Sequence, residues 1–247
     1  MAVSLIGQAK INESSPSYTA LTGSNRLLVF VIQGEAPTND GPINPSFGGV
    51  GLVDITTDTN AASGVQHTFV YAGYILEQDM PTGSQSLSLT TDGLAWVNNL
   101  WAGTVYTFGG VNQGSPINPS ALEETVSFDT SFTSSNVTSV TNGYLVCGFG
   151  IATAINATEP SFEAGWTLSQ WQNTENGGAW LDYHKAITSG ASENVTITWN
   201  PGDSESGMFS MFGINPISSS VSITDVNGTE SWADGDTGLV ITGTGFV

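Results

Sequence analysis

Short apolar runs separated by turn-forming residues recur along the whole chain, and this pattern limits the possible folds more than any other feature. The runs at 85–90 (QSLSLT) and 194–199 (NVTITW) alternate polar and apolar residues, as half-buried strands do. The run at 26–32 (RLLVFVI) is apolar on both faces, which is typical of a central strand under cover. Gly, Pro, Asn, Asp and Ser cluster between the runs, and no window shows a convincing helical period. The pattern predicts an all-β fold built as a two-sheet antiparallel β-sandwich.

Two loops are nearly identical, GPINPS at 41–46 and SPINPS at 115–120. The prolines at both ends fix φ and disfavour helix, so each loop is expected to be a rigid extended connection. Because the flanking sequences do not match well, we do not interpret the pair as a duplicated domain. A coincidence of turn chemistry is an equally good explanation.

The charge balance excludes several classes of partner. Lys and Arg total 3 against 22 Asp and Glu, and the net charge is −19. A field of this sign repels phosphate backbones and anionic membranes, which argues against nucleic-acid binding. No run approaches the roughly 18 apolar residues of a membrane span, so no membrane insertion is expected.

The composition resembles that of an extracellular protein, although the start of the chain lacks the basic and apolar regions of a secretory signal. Cys147 is the only cysteine and lies in an apolar run, which predicts a buried, inert thiol. The composition changes near 214–238, where a Ser run follows Pro216. This change predicts a domain boundary near residue 216.

Three segments resemble the jelly-roll, concanavalin-A-like sandwich domains of marine phage structural proteins and bacterial surface proteins. They are TGSNRLLVFVI (22–32), MPTGSQSLSL (80–89) and YTFGGVNQGSPI (106–117). The segment VITGTGF (240–246) resembles the beginning of an IPT/TIG-type immunoglobulin-like domain. The resemblance implies a jelly roll over 1–215, followed at 216–247 by a linker and the first strands of an Ig-like domain. The chain would then continue past Val247, or its last strands would pair with a neighbouring subunit.

No constellation of catalytic residues is evident in the sequence. His67 and His184 are the only histidines, neither lies in a recognisable nucleophile setting, and no G-x-S-x-G elbow occurs. Both histidines are expected at the surface or packed in a sheet. Glu159 and Glu163 share a strand face, as a glycosidase pair would, but Pro160 interrupts the strand. We therefore expect no catalytic residue and no enzymatic activity.

Binding candidates concentrate in the acidic segment 225–238. Asp234 and Asp236 flank Gly235 and are calcium candidates, although an acidic turn is the simpler interpretation. Trp232 is the tryptophan expected to be most exposed and the candidate for glycan contact, whereas the other tryptophans are expected to fill the core. No cofactor other than calcium is suggested.

Arg26 is one of three basic residues and opens the apolar run 26–32. An unpaired charge there would be costly, so we expect Arg26 to bond a carboxylate or loop carbonyls beneath the sheet edge. On that basis Arg26→Ala should destabilise the protein by about 3 kcal/mol.

Together these features favour a non-enzymatic structural protein of a phage virion surface: a capsid decoration, head-fibre or tail-fibre component. Its N-terminal sandwich would dock on capsid or tail proteins and project Ig-like modules, in a symmetric homo-oligomer. Such a protein is assembled in the host cytoplasm and meets open water after lysis. The alternative is a lectin-like, carbohydrate-binding module of a secreted bacterial adhesin or hydrolase. Host-surface glycans are a candidate ligand in both cases.

Overall fold

A computed structural model describes most of the chain up to residue 217. The described residues are 1–12, 15–36, 43–63, 66–91, 101–118, 121–127, 131–151, 159, 161–174, 178–198 and 206–217. They form antiparallel strands and one 3-10 turn at Glu77–Asp79. The all-β, sandwich-type fold predicted from the alternating runs is therefore confirmed.

Nine strands belong to the first half of this region and ten to the second, within the described residues. The first half contains β1 (Ser4–Asn12), β2 (Ser17–Thr19), β3 (Leu27–Ala36), β4 (Ile43–Phe47), β5 (Val50–Gly51), β6 (Val53–Ser63), β7 (Gln66–Leu76), β8 (Ser84–Thr91) and β9 (Trp101–Gly109). The second half contains β10 (Leu122–Ser127), β11 (Ser131–Thr133), β12 (Val137–Thr138), β13 (Tyr144–Ile151), β14 (Ser161–Phe162), β15 (Thr167–Thr174), β16 (Gly178–Ala186), β17 (Ser192–Glu193), β18 (Thr196–Thr198) and β19 (Ser206–Ile214).

Two five-stranded sheets pack face to face in the middle of the molecule. The first central sheet has the order β1-β9-β3-β7-β6, and the second has the order β10-β19-β13-β16-β15. The edge strand β1 lies against β15, and its counterpart β10 lies against β6. Apolar side chains from both sheets form the central core between them, including Leu27, Val29, Val31, Ala72, Tyr106, Phe108, Val146, Phe212 and Ile214.

Smaller sheets cover the outer faces of the two central sheets. The sheet β2-β8-β4-β5 covers the first central sheet and encloses the first outer core, which includes Tyr18, Phe30, Phe47, Tyr71 and Leu87. The sheets β11-β18-β14 and β12-β17 cover the second central sheet and enclose the second outer core, which includes Val137, Cys147, Phe149, Leu181 and Ile197. Each half thus contains a five-stranded sheet covered by smaller sheets, and the halves pack through their five-stranded sheets.

The two halves have the same topology. In each central sheet the first strand of the half pairs with the last strand, which in turn pairs with the strand at the centre of the sheet. The correspondence is β1 with β10, β9 with β19, β3 with β13, β7 with β16 and β6 with β15. The outer pairs β2–β8 and β4–β8 correspond in register to β12–β17 and β14–β18. The arrangement is that of a self-complementary interface between two equivalent units in one chain.

Local features mark the equivalence of the halves. The register aligns 84–90 (SQSLSLT) with 192–198 (SENVTIT). Asn25 and Asn142 have left-handed φ values of 51° and 63°, and each stands two residues before the central strand of its half. Both edge strands carry a bulge at the same place, after Asp54 in β6 and after Leu168 in β15.

The two near-identical loops are not the mark of this duplication. Residues 43–46 lie in β4 inside the first half, whereas Ile117 lies between β9 and β10 and bridges to Ile214. The repeated strand order shows a duplication that the loop pair did not indicate. The boundary near residue 216 stays a prediction, since residues 218–247 lie outside the described part of the chain.

Candidate functional site

A polar cluster lies inside the otherwise apolar interface between the two central sheets. Asp182 of β16 stands between Leu181 and Tyr183, which face the second outer core, so strand alternation directs Asp182 into the interface. Gln33 of β3 and Thr104 of β9 reach the same place from the first half, and all three side chains are 0% exposed.

Asp182 is held by donors from the other half of the molecule. Gln33 Nε2 donates to Asp182 Oδ1, and Thr104 Oγ1 lies 2.6 Å from Asp182 Oδ2. Gln33 Oε1 has no hydrogen-bond partner among the described residues. Burial raises the pKa of Asp182 to about 7, although the hydrogen bonds from Thr104 and Gln33 and the charge of Lys10 act in the opposite direction. This carboxyl therefore changes charge near neutral pH.

His184 lies two residues further along β16, on the same face. Its Nδ1 lies 2.8 Å from Ser169 Oγ, and its ring stacks on Tyr144 at a centroid distance of 5.9 Å. The ring of Tyr106 meets it edge-on, also at 5.9 Å. Burial lowers the pKa of His184, so its imidazole is neutral over more of the pH range than that of an exposed histidine.

Ser169, His184 and Asp182 are the residue types of a nucleophilic triad, but their arrangement is different. In a triad the carboxylate orients the histidine that activates the serine. Here the Asp182 oxygens accept from Gln33 and Thr104, and His184 and Ser169 are only 6% and 8% exposed. The chemistry that this geometry supports is proton binding by Asp182 and attachment of one half to the other.

Arg26 lies beside a carboxylate at the edge of the first central sheet. Its Nε lies 2.8 Å from Glu77 Oε1, its backbone N–H donates to Glu77 Oε2, and its Nη1 donates to the carbonyl of Leu21. Partial burial would raise the pKa of Glu77, but the hydrogen bonds and charge of Arg26 lower it. The two side chains are 21% and 32% exposed, so the pair is only partly buried. For a partly exposed pair we expect a smaller destabilisation than the about 3 kcal/mol expected for a buried one.

Several other candidates from the sequence lie outside the described residues. These are Trp232, Asp234 and Asp236, together with the side chain of His67. Glu159 and Glu163 are both exposed. Cys147 is buried in the second outer core, as predicted, and burial raises the pKa of its thiol well above the usual value.

The tryptophans that the structure describes contribute mainly to cores. Trp101 and Trp180 are buried, and Trp166 and Trp171 pack against the second outer core while partly exposed. Lys185 Nζ lies 5.8 Å from the ring centroid of Trp166 and forms an ion pair with Glu193.

A surface cavity of about 480 Å³ lies where the two ends of the described chain meet. Met1, Val140, Asn142 and Ile217 contribute to its wall, and the Met1 amino group donates to the carbonyl of Ile217. Asn112 Oδ1 accepts from the backbone N–H of Gly114 and Ser115, which turns this polar group toward its own loop. The cavity is therefore best explained by the junction of chain segments.

The described residues hold no group of three or more His, Cys, Asp or Glu side chains placed to bind a metal ion. Within the same residues, no helix has the length and apolar character needed to cross a bilayer.

The polar cluster was not predicted as a site. Its signal in the sequence was the alternation of β16, which places Trp180, Asp182 and His184 on one face. The partners of Asp182 are 149 and 78 residues away in the chain, and only the packing of the halves brings them together. Comparison with family models, with curated proteins and with solved structures found no match to this chain.

Proposed function

We propose that this chain is a non-enzymatic structural protein of a phage virion surface: a capsid decoration, head-fibre or tail-fibre component. It docks on capsid or tail proteins through its N-terminal sandwich, works as a homo-oligomer and projects Ig-like modules. The observation that carries the proposal is the enclosure of the ionisable cluster. Asp182, His184 and Ser169 are buried between two packed sheets, and Asp182 there bonds Gln33 and Thr104 of the other half.

The charge and the single cysteine support the same proposal. A net charge of −19 disfavours adhesion to anionic membranes and nucleic acids, so docking would use shape and apolar contact. The one thiol is buried in the second outer core and is therefore protected when the particle enters an oxidising medium. Stability then depends on filled cores and the packing of two halves, which suits a particle component exposed to open water.

The proposal is tested on particles from a culture of the organism that encodes the chain. Particles are banded on a density gradient, their proteins are quantified by mass spectrometry, and intact particles are labelled with gold-conjugated antibody against the chain. We expect the chain in the particle band, at a fixed ratio to a capsid or tail protein, with gold on the particle surface. Labelling by antibody pre-absorbed with purified chain is the control. A chain found only in the particle-free supernatant would contradict the proposal.

The lectin alternative rests on Trp232, the glycan-contact candidate that the sequence indicates. A glycan array and melting curves with and without calcium examine it directly. Reproducible sugar binding tighter than about millimolar, lost in Trp232→Ala and without particle association, would favour the lectin. Calcium-dependent melting abolished in Asp234→Asn and Asp236→Asn would assign the ion to those two residues.

A further inference from the structure

The buried carboxyl of Asp182 connects two halves that are otherwise joined mainly by apolar packing. Its two hydrogen-bond donors, Gln33 and Thr104, belong to the first half, whereas Asp182 belongs to the second. A carboxylate with no cation in contact is costly to bury, while a neutral carboxyl is not. The protonation state of this one group therefore bears directly on the contact between the halves.

We propose that Asp182 is a proton-controlled lock: with a proton on its carboxyl the halves stay packed, and loss of that proton loosens their interface. The proton has acceptors in place. Thr104 Oγ1 is 2.6 Å from Oδ2, and a hydroxyl at this distance can accept as well as donate. Gln33 Oε1, which has no partner among the described residues, is a second acceptor on the same side chain that donates to Oδ1.

The groups around Asp182 leave an ionised carboxylate poorly compensated. From the strands packed against it, the groups that face it or act on it are Gln33 (β3), Thr104 and Tyr106 (β9), Lys10 (β1), Cys147 (β13), Gln170 (β15) and, on its own strand, His184. Lys10 is the cation among them, and its side chain is exposed, so solvent screens its charge. Two neutral donors are thus the direct support of the carboxylate.

Asp182 and His184 affect stability in opposite directions as the pH changes. The pKa of Asp182 rises from 3.8 to about 7 on folding, so its contribution to stability is complete below the lower value and is lost as the pH rises toward the higher. The pKa of His184 falls below 6.5 on folding, so its contribution is present above 6.5 and is lost as the pH falls. Variants of each residue separate the two effects.

The test is hydrogen exchange of the full chain, followed by mass spectrometry between about pH 5 and pH 8, with rates corrected for the intrinsic effect of pH. If opening of the interface exposes Asp182 to water, protection of β3, β9 and β16 should fall about a hundredfold over this range. Asp182→Asn, which stays neutral, should abolish that fall and leave only the rise expected from His184. Glu77→Gln is the matched control at the surface pair and should keep the wild-type dependence.

Infrared spectroscopy of the wild-type chain labelled with ¹³C-aspartate reports protonation without depending on any variant. The carbonyl stretch of a protonated buried carboxyl should be present at about pH 5 and absent at about pH 8. Protection that does not change with pH in the wild type would overturn the proposal, as would an unchanged dependence in folded Asp182→Asn. A carboxyl that is ionised throughout the range would also overturn it, even if the variant fails to fold.

Discussion

The first and second halves share one topology, yet they fill equivalent positions of their interface with different chemistry. Phe30 of β3 and Cys147 of β13 occupy equivalent positions, and they pair with Gly73 of β7 and Tyr183 of β16. The residues that precede these partners, Ala72 and Asp182, are therefore counterparts. In the same way Ser210 is the counterpart of Thr104. On one side of the interface Thr104 bonds a carboxyl, whereas on the other Ser210 Oγ lies 3.2 Å from Thr56 Oγ1. The same strand arrangement therefore contains a titratable contact on one side and a neutral contact on the other. Each contact is a control for the other.

Steric fit across the interface gives the largest expected effect. Val31 and Gly148 are equivalent residues of β3 and β13, and they face each other: a Cβ on Gly148 would collide with Val31 Cγ1 and come within 2.8 Å of Gln33 Nε2. Giving the second half the residue of the first, Gly148→Val, should reduce the free energy of unfolding by about 3 kcal/mol because the sheets cannot separate without losing packing. Urea unfolding measures this loss.

The exchanged pair, Val31→Gly with Gly148→Val, is the control for that experiment. It again places one valine opposite one glycine, with glycine at 31 and valine at 148. It should therefore recover a large part of the stability lost by Gly148→Val alone. Full tolerance of the single substitution Gly148→Val would mean that the two central sheets do not meet at these residues.

The titratable and neutral contacts should differ in strength and in pH dependence. Thr104→Val removes the hydrogen bond to Asp182 and should cost about 2 kcal/mol at about pH 8, where the carboxylate is ionised, and less at about pH 5. Thr56→Val removes the neutral bond to Ser210 on the other side and should cost about 1 kcal/mol or less at both pH values. Urea unfolding at the two pH values makes the comparison. Equal, pH-independent losses would show that the two sides are energetically alike.

The sheet-edge ion pairs should contribute less than the interface. The position of Arg26, directly after Asn25, is taken by Gly143 in the second half, where Lys185 and Glu193 form the ion pair at 2.8 Å instead. Arg26→Ala should cost about 1–2 kcal/mol because the pair is partly exposed.

The dependence on pH and salt of the stability lost in Arg26→Ala distinguishes the contribution of the Arg26 charge from that of its packing. The pKa of Glu77 is lowered from 4.5, so the contribution of the pair is present above that value and is lost as the pH falls through the lowered pKa. The loss caused by Arg26→Ala should shrink in acid and in high salt, as measured by denaturant unfolding. A loss that is the same under all these conditions would mean that the alkyl stem of Arg26 matters rather than its charge.

Small effects are also expected at the two left-handed turns. Asn25→Ala and Asn142→Ala should each cost about 1 kcal/mol, because a residue with Cβ is strained at positive φ and Asn tolerates this better than Ala. Glycine at either position should be close to neutral. The carbonyls of both residues accept a backbone hydrogen bond, from Val111 and Val3 respectively, so the two losses should match. Thermal unfolding of the four variants would reveal any inequality between the halves.

The sequence predicted the strand class well because strand alternation is a local property. QSLSLT lies within β8, residues 196–198 of NVTITW form β18, and residues 27–32 of RLLVFVI lie in β3, which has a core on each face. The duplication was missed because equivalent segments share a pattern of burial more than they share residues. Leu87 and Val195 are both buried, yet Val31 corresponds to Gly148 and Ala72 to Asp182.

The site could not be predicted for a different physical reason. The period of β16 shows that Asp182 and His184 share a face, but burial and pKa depend on what packs against that face. Gln33 and Thr104 lie in other strands of the other half, and no local pattern specifies them as partners. The need of Arg26 for a partner was easier to predict from the sequence, because a lone cation at the start of an apolar strand needs a nearby carboxylate. Glu77 supplies it and follows the strand paired with β3.

The packing of the two central sheets against each other is the central claim, and a nuclear Overhauser effect tests it most directly. In the full chain with labelled valine methyl groups and labelled glycine, the Val31 methyl groups should show a strong cross-peak to the α-protons of Gly148. The cross-peak should weaken at higher pH in the wild type and persist in Asp182→Asn if the lock operates. Absence of that cross-peak at acidic pH, with the Gly148 α-protons in contact with water instead, would contradict the account.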